Sequence, residues 1–388
     1  MDFALTEDQL TIRDAIAKLC EAYDDEYWLA RDRDGKFPDA FVKEIASGGW
    51  LGIAMPKEVG GAGLGITEAA LMVQTIAESG GGFAAASSIH MNIFAPNPIA
   101  VHGTPAQKAR MLSPLIQGMD RACFGVTEPN AGLDTSSIET RAERRGNAYV
   151  VNGRKIWTST AQTANKILLL ARTTPKDKAA KPTDGLSLFY TDLDRRYIEV
   201  REIEKMGRKS VDSNAVFIDN LTVPADDLIG EEGQGFRYIL HGLNPERILI
   251  AAEAVGLGRC ALARAARYAK ERVVFGRPIG QNQGIQHPLA DAWARLEAAN
   301  LMLLKAASLY DRGEPCGAEA NAAKYLAADA CHTACERAIL THGGMGYAKE
   351  YHVERYLRES YIARIAPVSA EMILNFLAEK VLGLPKSY

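Results

Sequence analysis

The apolar residues of this 388-residue chain follow a helical period to about residue 120, lose it between residues 122 and 224, and regain it after Gly233-Gln234-Gly235. This double change of period constrains the fold more than any single motif, because a stripe spaced for a helix cannot be buried by a strand. Residues 3–30 read as helix, from Phe3, Leu5, Leu10, Ile12, Ile16 and Leu19, with Thr6 as N-cap. Gly35-Lys36-Phe37-Pro38 breaks the pattern, Asp39 stands where it can cap the next helix, and further helices are expected over 67–78, 83–102 and 105–117. Short β-rich runs follow: Tyr149-Val150-Val151, Ile167-Leu168-Leu169-Leu170, Leu186-Ser187-Leu188-Phe189-Tyr190 and Val216-Phe217-Ile218. Asn147, Asn152-Gly153 and Asp184-Gly185 punctuate them, and Asn152-Gly153, directly after a strand, reads as a hairpin turn. Helical patterns then cover 236–272, 283–312, 317–340 and 369–382, which predicts a bundle. The expected architecture is α+β and multidomain: an all-α N-terminal domain (1–120), a middle antiparallel β-domain, barrel or sandwich (121–228), and a C-terminal α-bundle domain (229–388).

The formal net charge of −3 argues against a nucleic-acid partner. Arg141, Arg144, Arg145 and the basic run 176–181 read as solvated surface. No stretch reads as apolar enough to span a membrane. The early acidic residues Asp2, Glu7 and Asp8, with no apolar signal core, lead to the expectation of a cytoplasmic protein. Six scattered cysteines fit reduced thiols. Cys331 and Cys335 share a helix face next to His332, but a zinc site needs more ligands, so they are expected as small buried apolar residues and no metal is assigned.

His342-Gly343-Gly344-Met345-Gly346-Tyr347 follows an alanine-rich helical pattern. Glycines past a helix end allow positive φ and close approach of a ligand, and uncovered N–H groups suit a pyrophosphate. A plain helix stop and turn explains the same residues.

Four segments in order resemble the acyl-CoA dehydrogenase family of flavoproteins, and the resemblance covers essentially the whole chain. Val126-Thr127-Glu128-Pro129-Asn130-Ala131-Gly132-Leu133-Asp134 is similar to V-T-E-P-x-A-G-S-D, and Asn152-Gly153-Arg154-Lys155-Ile156-Trp157-Thr158-Ser159 to N-G-x-K-x-x-I-T/S. Glu271-Arg272-Val273-Val274-Phe275-Gly276 is similar to E-R-x-x-F-G, and Gly343-Gly344-Met345-Gly346-Tyr347 to G-G-x-G-Y. The resemblance implies a middle β-barrel, a C-terminal four-helix bundle and bound FAD. It implies that Phe124, Val126, Thr127, Trp157 and Ser159 line the flavin ring, with Ser159 near N5. It implies that Arg272, Phe275, Gln283, His342, Gly343 and Gly344 meet the adenosine-diphosphate part across a subunit interface, and that Ser369 and Glu371 close the site. Leu133, Asp212, Ser213 and Arg247 fall where the family meets acyl-CoA, although Leu133 and Val211 stand where the family has Ser.

The implied reaction is α,β-dehydrogenation of an acyl-CoA thioester, as in fatty-acid β-oxidation, by a homotetramer passing electrons to an electron-transfer flavoprotein. The family's usual catalytic Glu position holds Pro367, which offers neither a base nor an N–H. A minority branch, including isovaleryl-CoA and long-chain acyl-CoA dehydrogenases, has the Glu before an Arg in the first long C-terminal helix. Glu246-Arg247 fits that pattern and makes Glu246 the expected base. Two further readings stay open: a non-catalytic or heteromeric subunit that has lost its base, and a flavin oxidase of the same superfamily. Acyl chain length and branching are not specified by these residues.

Overall fold

A computed structural model describes residues 4–387; Phe3, expected in the first helix, lies outside them. The N-terminal third is helical: α1 (Glu7–Cys20), α2 (Asp25–Asp34), α3 (Asp39–Ser47), α4 (Ile66–Ile76), α5 (Gly82–Phe94), α6 (Asn97–His102) and α7 (Pro105–Ile116). Thr6 caps α1 through a capping box with Gln9, as expected. The single helix expected over 3–30 is two, because Asp24 accepts a hydrogen bond from Tyr27 N and starts α2 afresh. Likewise 83–102 divides into α5 and α6, with Pro96 at the N-cap of α6. Asp39 is not a cap: Pro38 holds that position, and the Asp39 carboxylate pairs with Arg121 at 3.0 Å.

The middle of the chain forms β1 (Ala122–Gly125), β2 (Arg141–Arg145), β3 (Ala148–Ser159), β4 (Lys166–Arg172), β5 (Leu186–Asp192), β6 (Ile198–Glu202) and β7 (Ser213–Pro224). They make one sheet in the order β1-β4-β2-β3-β7-β6, with β5 on β4. It is antiparallel except where β4 meets β1 and the edge of β2 in parallel. The hairpin turn is Gly146-Asn147, not Asn152-Gly153. β3 runs through Gly153, whose register shift against β7 is a bulge; a Cβ there would meet Thr140 at 2.4 Å. The sequence signal for backbone freedom is right at both places, but only one of them reverses the chain. The unbroken apolar run of β4 has two destinations. Ile167, Leu169 and Ala171 fill the sheet's own core, while Leu168 and Leu170 pack toward the helices.

Five helices follow: α8 (Gly235–Glu271), α9 (Gln283–Asp311), α10 (Gly317–His342), α11 (Val353–Ile365) and α12 (Ala370–Lys380), with a two-stranded ribbon β8 (Val273–Val274) and β9 (Arg277–Pro278) after α8. The sequence reading omits α11, whose charged residues Arg355, Glu359 and Arg358 mask its buried face. The bundle packs around α8, which also touches α4, α5 and β5 and so joins all three regions of the chain. Cys331 and Cys335 are fully buried in this bundle, and burial pushes the Cys335 thiol up. The segment 353–380 does reach the length and apolarity of a membrane span, but the chain breaks at Ala366-Pro367. Neither α11 nor α12 alone has the ~20 residues a span needs.

α8 can lie this close to α4 because Gly256 has no side chain: a Cβ there would stand 2.2 Å from the Gln74 carbonyl oxygen. Gly256→Ala is expected to cost about 1–3 kcal/mol through overpacking, read as a lower midpoint in urea denaturation. An unchanged midpoint would show that the two helices are not held at this distance.

Candidate active site

One wall of the site is built by the segment after β1. Lys155 Nζ donates to Val126 O at 3.1 Å and to Glu128 Oε1 at 2.8 Å, and both charged side chains are buried. Glu128 also accepts from the backbone N–H groups of Glu139 and Thr140. Burial works to raise the Glu128 carboxyl, but Lys155 and the Glu139 N–H outweigh it and hold it below its ordinary value. Ile156 N donates to Thr127 O, so Val126 and Thr127 are fixed from both sides. Phe124 packs edge-on against Phe94 of α5.

The end of β3 presents the next group. Trp157 has φ +58°, is 57% exposed, and sits in the second register shift between β3 and β7. Two residues on, Ser159 pairs with Ser213 and its Oγ accepts from Arg208 Nη2 at 3.2 Å. The Asp212 carboxylate is already engaged by Gln162 N and Asn214, so its part is to hold this loop. Ser213 is buried and Leu133 is exposed.

Glu246 lies on α8, facing α5 and α10. Its Oε2 is out of solvent with no hydrogen-bond partner among the described residues. Burial pushes its carboxyl up to about 7, only partly offset by His90, Arg247 and Lys324. Next to it, Arg247 Nη1 donates to Asn244 Oδ1 at 3.2 Å while Arg247 Nε has no partner. Lys324, buried on α10, donates to Val368 O at 2.6 Å and so ties the Pro367–Ser369 segment to the Glu246 side of the bundle. Burial pulls Lys324 down to about 8. Ser369 caps α12 and Glu371 follows it in the first turn. Two turns further along α8, Glu253 is bonded to His90 Nδ1 at 2.6 Å and to Ser87 at 3.2 Å, all three buried.

A second group gathers at the far end of α8. Tyr268, Arg272, Val274, Thr341, His342, Gly343 and Gly344 are among the residues lining a cavity of about 400 Å³. His342 stacks on Tyr268 with ring centroids 4.3 Å apart, and its Nδ1–H donates to Ala338 O at 2.7 Å, which fixes the ring. Gly343 has φ +61°, and neither Gly343 nor Gly344 has a neighbour within 4 Å of where a Cβ would be, so the loop's backbone is open to a ligand. Phe275 has φ +51° and is fully exposed at the tip of the β8–β9 ribbon; Gln283 is exposed at the start of α9. Leu340, on the last turn of α10, is exposed as well.

The expected residues therefore fall into two groups. Phe124, Val126, Thr127, Trp157, Ser159, Glu246 and Arg247 belong to the junction of the three regions, and Arg272, Phe275, Gln283, His342, Gly343 and Gly344 to the opposite end of α8. The residues present fit a flavin dinucleotide: an open glycine loop beside an arginine and a fixed aromatic stack for the nucleotide part, and an exposed Trp with a Ser hydroxyl for the ring. Arg208, Lys324 and the His90–Glu253 pair are ionisable groups of the junction that the sequence reading does not single out. They stand in no motif, and only their three-dimensional convergence sets them apart.

Three family profiles match the chain: acyl-CoA dehydrogenase, N-terminal domain, over residues 6–119; middle domain, over 123–221; and C-terminal domain, over 233–382. The chain is 38% identical to acyl-CoA dehydrogenase fadE12 of Mycobacterium bovis, over 100% of this chain and 99% of that protein. Its structure is similar to butyryl-CoA dehydrogenase from Megasphaera elsdenii, with TM-score 0.93, 31% identity and coverage of 98% of this chain and 100% of that one. It is equally similar to a chain from structural work on the electron transferring flavoprotein of Acidaminococcus fermentans, with TM-score 0.94, 31% identity and coverage of 98% and 100%. The fold and these relatives define an oxidoreductase built as helical, β and helical domains. The chain belongs to the acyl-CoA dehydrogenase family.

The Lys155–Glu128 pair holds the wall in position. Lys155→Ala leaves the Glu128 carboxylate buried and unpaired, so a loss of about 3–5 kcal/mol is expected in chemical denaturation. The double variant Lys155→Met, Glu128→Gln should recover part of it; a single variant within about 0.5 kcal/mol of the parent would contradict the assignment.

Proposed function

We propose that the chain carries out FAD-dependent α,β-dehydrogenation of an acyl-CoA thioester to the 2-enoyl-CoA, with Glu246 as the base that takes the α-proton. The observation that carries this reading is the Glu246 carboxyl itself, with one oxygen out of solvent and unpartnered among the described residues and its pKa pushed up to about 7. A carboxylate in that state can remove a carbon-bound proton and then hold it. Bound FAD would supply the acceptor for the hydrogen and two electrons that leave the β-carbon.

The chain's own residues divide the remaining tasks. Phe124, Val126, Thr127, Trp157 and Ser159 hold the flavin ring, and Ser369 and Glu371 close over it. Arg247, Ser213 and Leu133 border the acyl-CoA, and Asp212 organises the loop they share. Arg272, Phe275, Gln283, His342, Gly343 and Gly344 take the adenosine-diphosphate part of FAD bound by a neighbouring copy. Helix geometry supports that last assignment, since Glu246 and Arg272 stand about 39 Å apart along α8 at ~1.5 Å per residue. So does the segment 353–380, in whose most apolar stretch only 11% of the residues are buried in the single chain. The assembly we infer is a homotetramer of three-domain chains (1–120, 121–228, 229–388), with an electron-transfer flavoprotein as electron acceptor, in keeping with the similarity to the Acidaminococcus fermentans chain.

Pro367 favours one alternative, a subunit that has lost its base. Flavin reduction by acyl-CoA in the parent separates the two, and Glu246→Gln then tests the base. The variant should stay folded and yellow, yet its flavin reduction by acyl-CoA should fall by at least about 10²–10⁴-fold. A rate within tenfold of the parent would move the base elsewhere. In the parent, the base must be ionised, so the reduction rate should rise with pH through about 7 and level off above it; a rate that is flat from pH 5 to 9 would contradict the shifted carboxyl.

Arg272→Ala should release FAD on dilution while leaving the denaturation midpoint of the apoprotein unchanged, because the residue sits at the helix end rather than in the core. FAD retained as tightly as in the parent would remove Arg272 from the cofactor site.

A further inference from the structure

Arg208 is a charged group at the junction with little protein around it to answer its charge. Its guanidinium makes one side-chain hydrogen bond among the described residues, to Ser159 Oγ at 3.2 Å. Its Nε is out of solvent and has no partner there. Glu253, Glu359 and Asp212 act on it electrostatically but none forms an ion pair with it. Each of them has other partners: Glu253 has His90 and Ser87, Glu359 has Arg355 and Ala84 N, and Asp212 has Gln162 N and Asn214. A buried charge without a close counter-charge is unfavourable unless something else at the site receives it.

The loop that carries Arg208 is held firmly. Arg208 has φ +53°, a conformation uncommon for a residue with a side chain. Arg358 Nη1 donates to Met206 O at 2.8 Å, and Val211 N donates to Arg208 O at 3.1 Å. Arg358 is in turn fixed by the Asp32 carboxylate at 2.7 and 3.1 Å. A Cβ on Gly207 would meet the Arg358 backbone at 3.0 Å, so the loop and α11 are in close contact. Such a mounting suits a side chain whose direction matters.

We propose that Arg208 sets the electron affinity of the flavin: its guanidinium, anchored on Ser159, puts a positive charge against the N5 side of the ring and favours the reduced, negatively charged form. This rests on the reading of Ser159 as the residue beside N5. Arg208 is thus a positioning and tuning residue, distinct from the base. It takes no proton and forms no bond with the substrate.

The test uses the full-length holoprotein and two variants, Arg208→Gln and Arg208→Lys. Sulfite adds to flavin N5 and leaves the ring system negatively charged, so its affinity, followed by loss of the flavin absorbance, reports the local charge without any turnover. Arg208→Gln should weaken sulfite binding about tenfold or more and move the flavin reduction potential to a more negative value. Arg208→Lys, which keeps the charge, should recover most of both. If Arg208→Gln retains FAD and binds sulfite within twofold of the parent, with an unmoved potential, the inference is wrong and Arg208 is structural. If Arg208→Gln does not retain FAD, Arg208→Lys decides alone: a potential and sulfite affinity close to the parent support the charge, and loss of both overturns it. A parent protein that neither holds nor takes up FAD would overturn the proposed function itself, and this inference with it.

Discussion

An ionisable oxygen kept away from water and from every donor is a costly thing to place inside a helical bundle. Glu246 is such a group, and the folded chain spends stability from elsewhere to keep it so. Its surroundings are arranged to moderate the cost without cancelling it. His90, Arg247 and Lys324 each favour the ionised form, yet each has its strongest hydrogen bond elsewhere: to Glu253, to Asn244 and to the Val368 carbonyl. The result is a carboxyl that burial pushes up to about 7 rather than one locked as an ion pair. Proton abstraction from carbon needs that balance, because a fully paired carboxylate would be too weak a base.

The second constraint is the length of α8. Its 37 residues are packed on α4, α5, α9, α10 and α11. Its alanines and glycines let those neighbours approach closely, and Gly256 marks the tightest point. The same helix carries Glu246, the proposed base, near its start and ends at Arg272, beside the His342–Gly344 loop. A single chain therefore presents the two halves of the proposed cofactor site at separate places. On the proposed reading, the site is completed only when several copies assemble around this helix.

Much of this was legible in the sequence because periodicity and caps are local. The α–β–α order, the N-cap at Thr6 and the long helices after residue 235 follow from local sequence signals. Where the reading failed, the cause was non-local. Asn152-Gly153 carries a turn signal, but β3 continues through it with a bulge, Asn152 paired with β2 and Gly153 with β7. α11 escaped notice because Arg355 and Glu359 look like solvent residues and are in fact buried against Gly80, Gly81 and Ala84 N. Within the site, Glu246 was accessible through a motif, whereas Arg208 and Lys324 acquire meaning only from partners 49 and 44 residues away in the chain.

The central claim is that Glu246 removes the α-proton, and it can be examined apart from the redox step. An acyl-CoA ester with no hydrogen on its β-carbon can lose its α-proton but cannot be oxidised. Incubated with the FAD-loaded protein in deuterium oxide, such an ester should take up deuterium at the α-carbon, and Glu246→Gln should abolish that uptake while still binding the ester. Exchange that persists at the parent rate in Glu246→Gln would contradict the account.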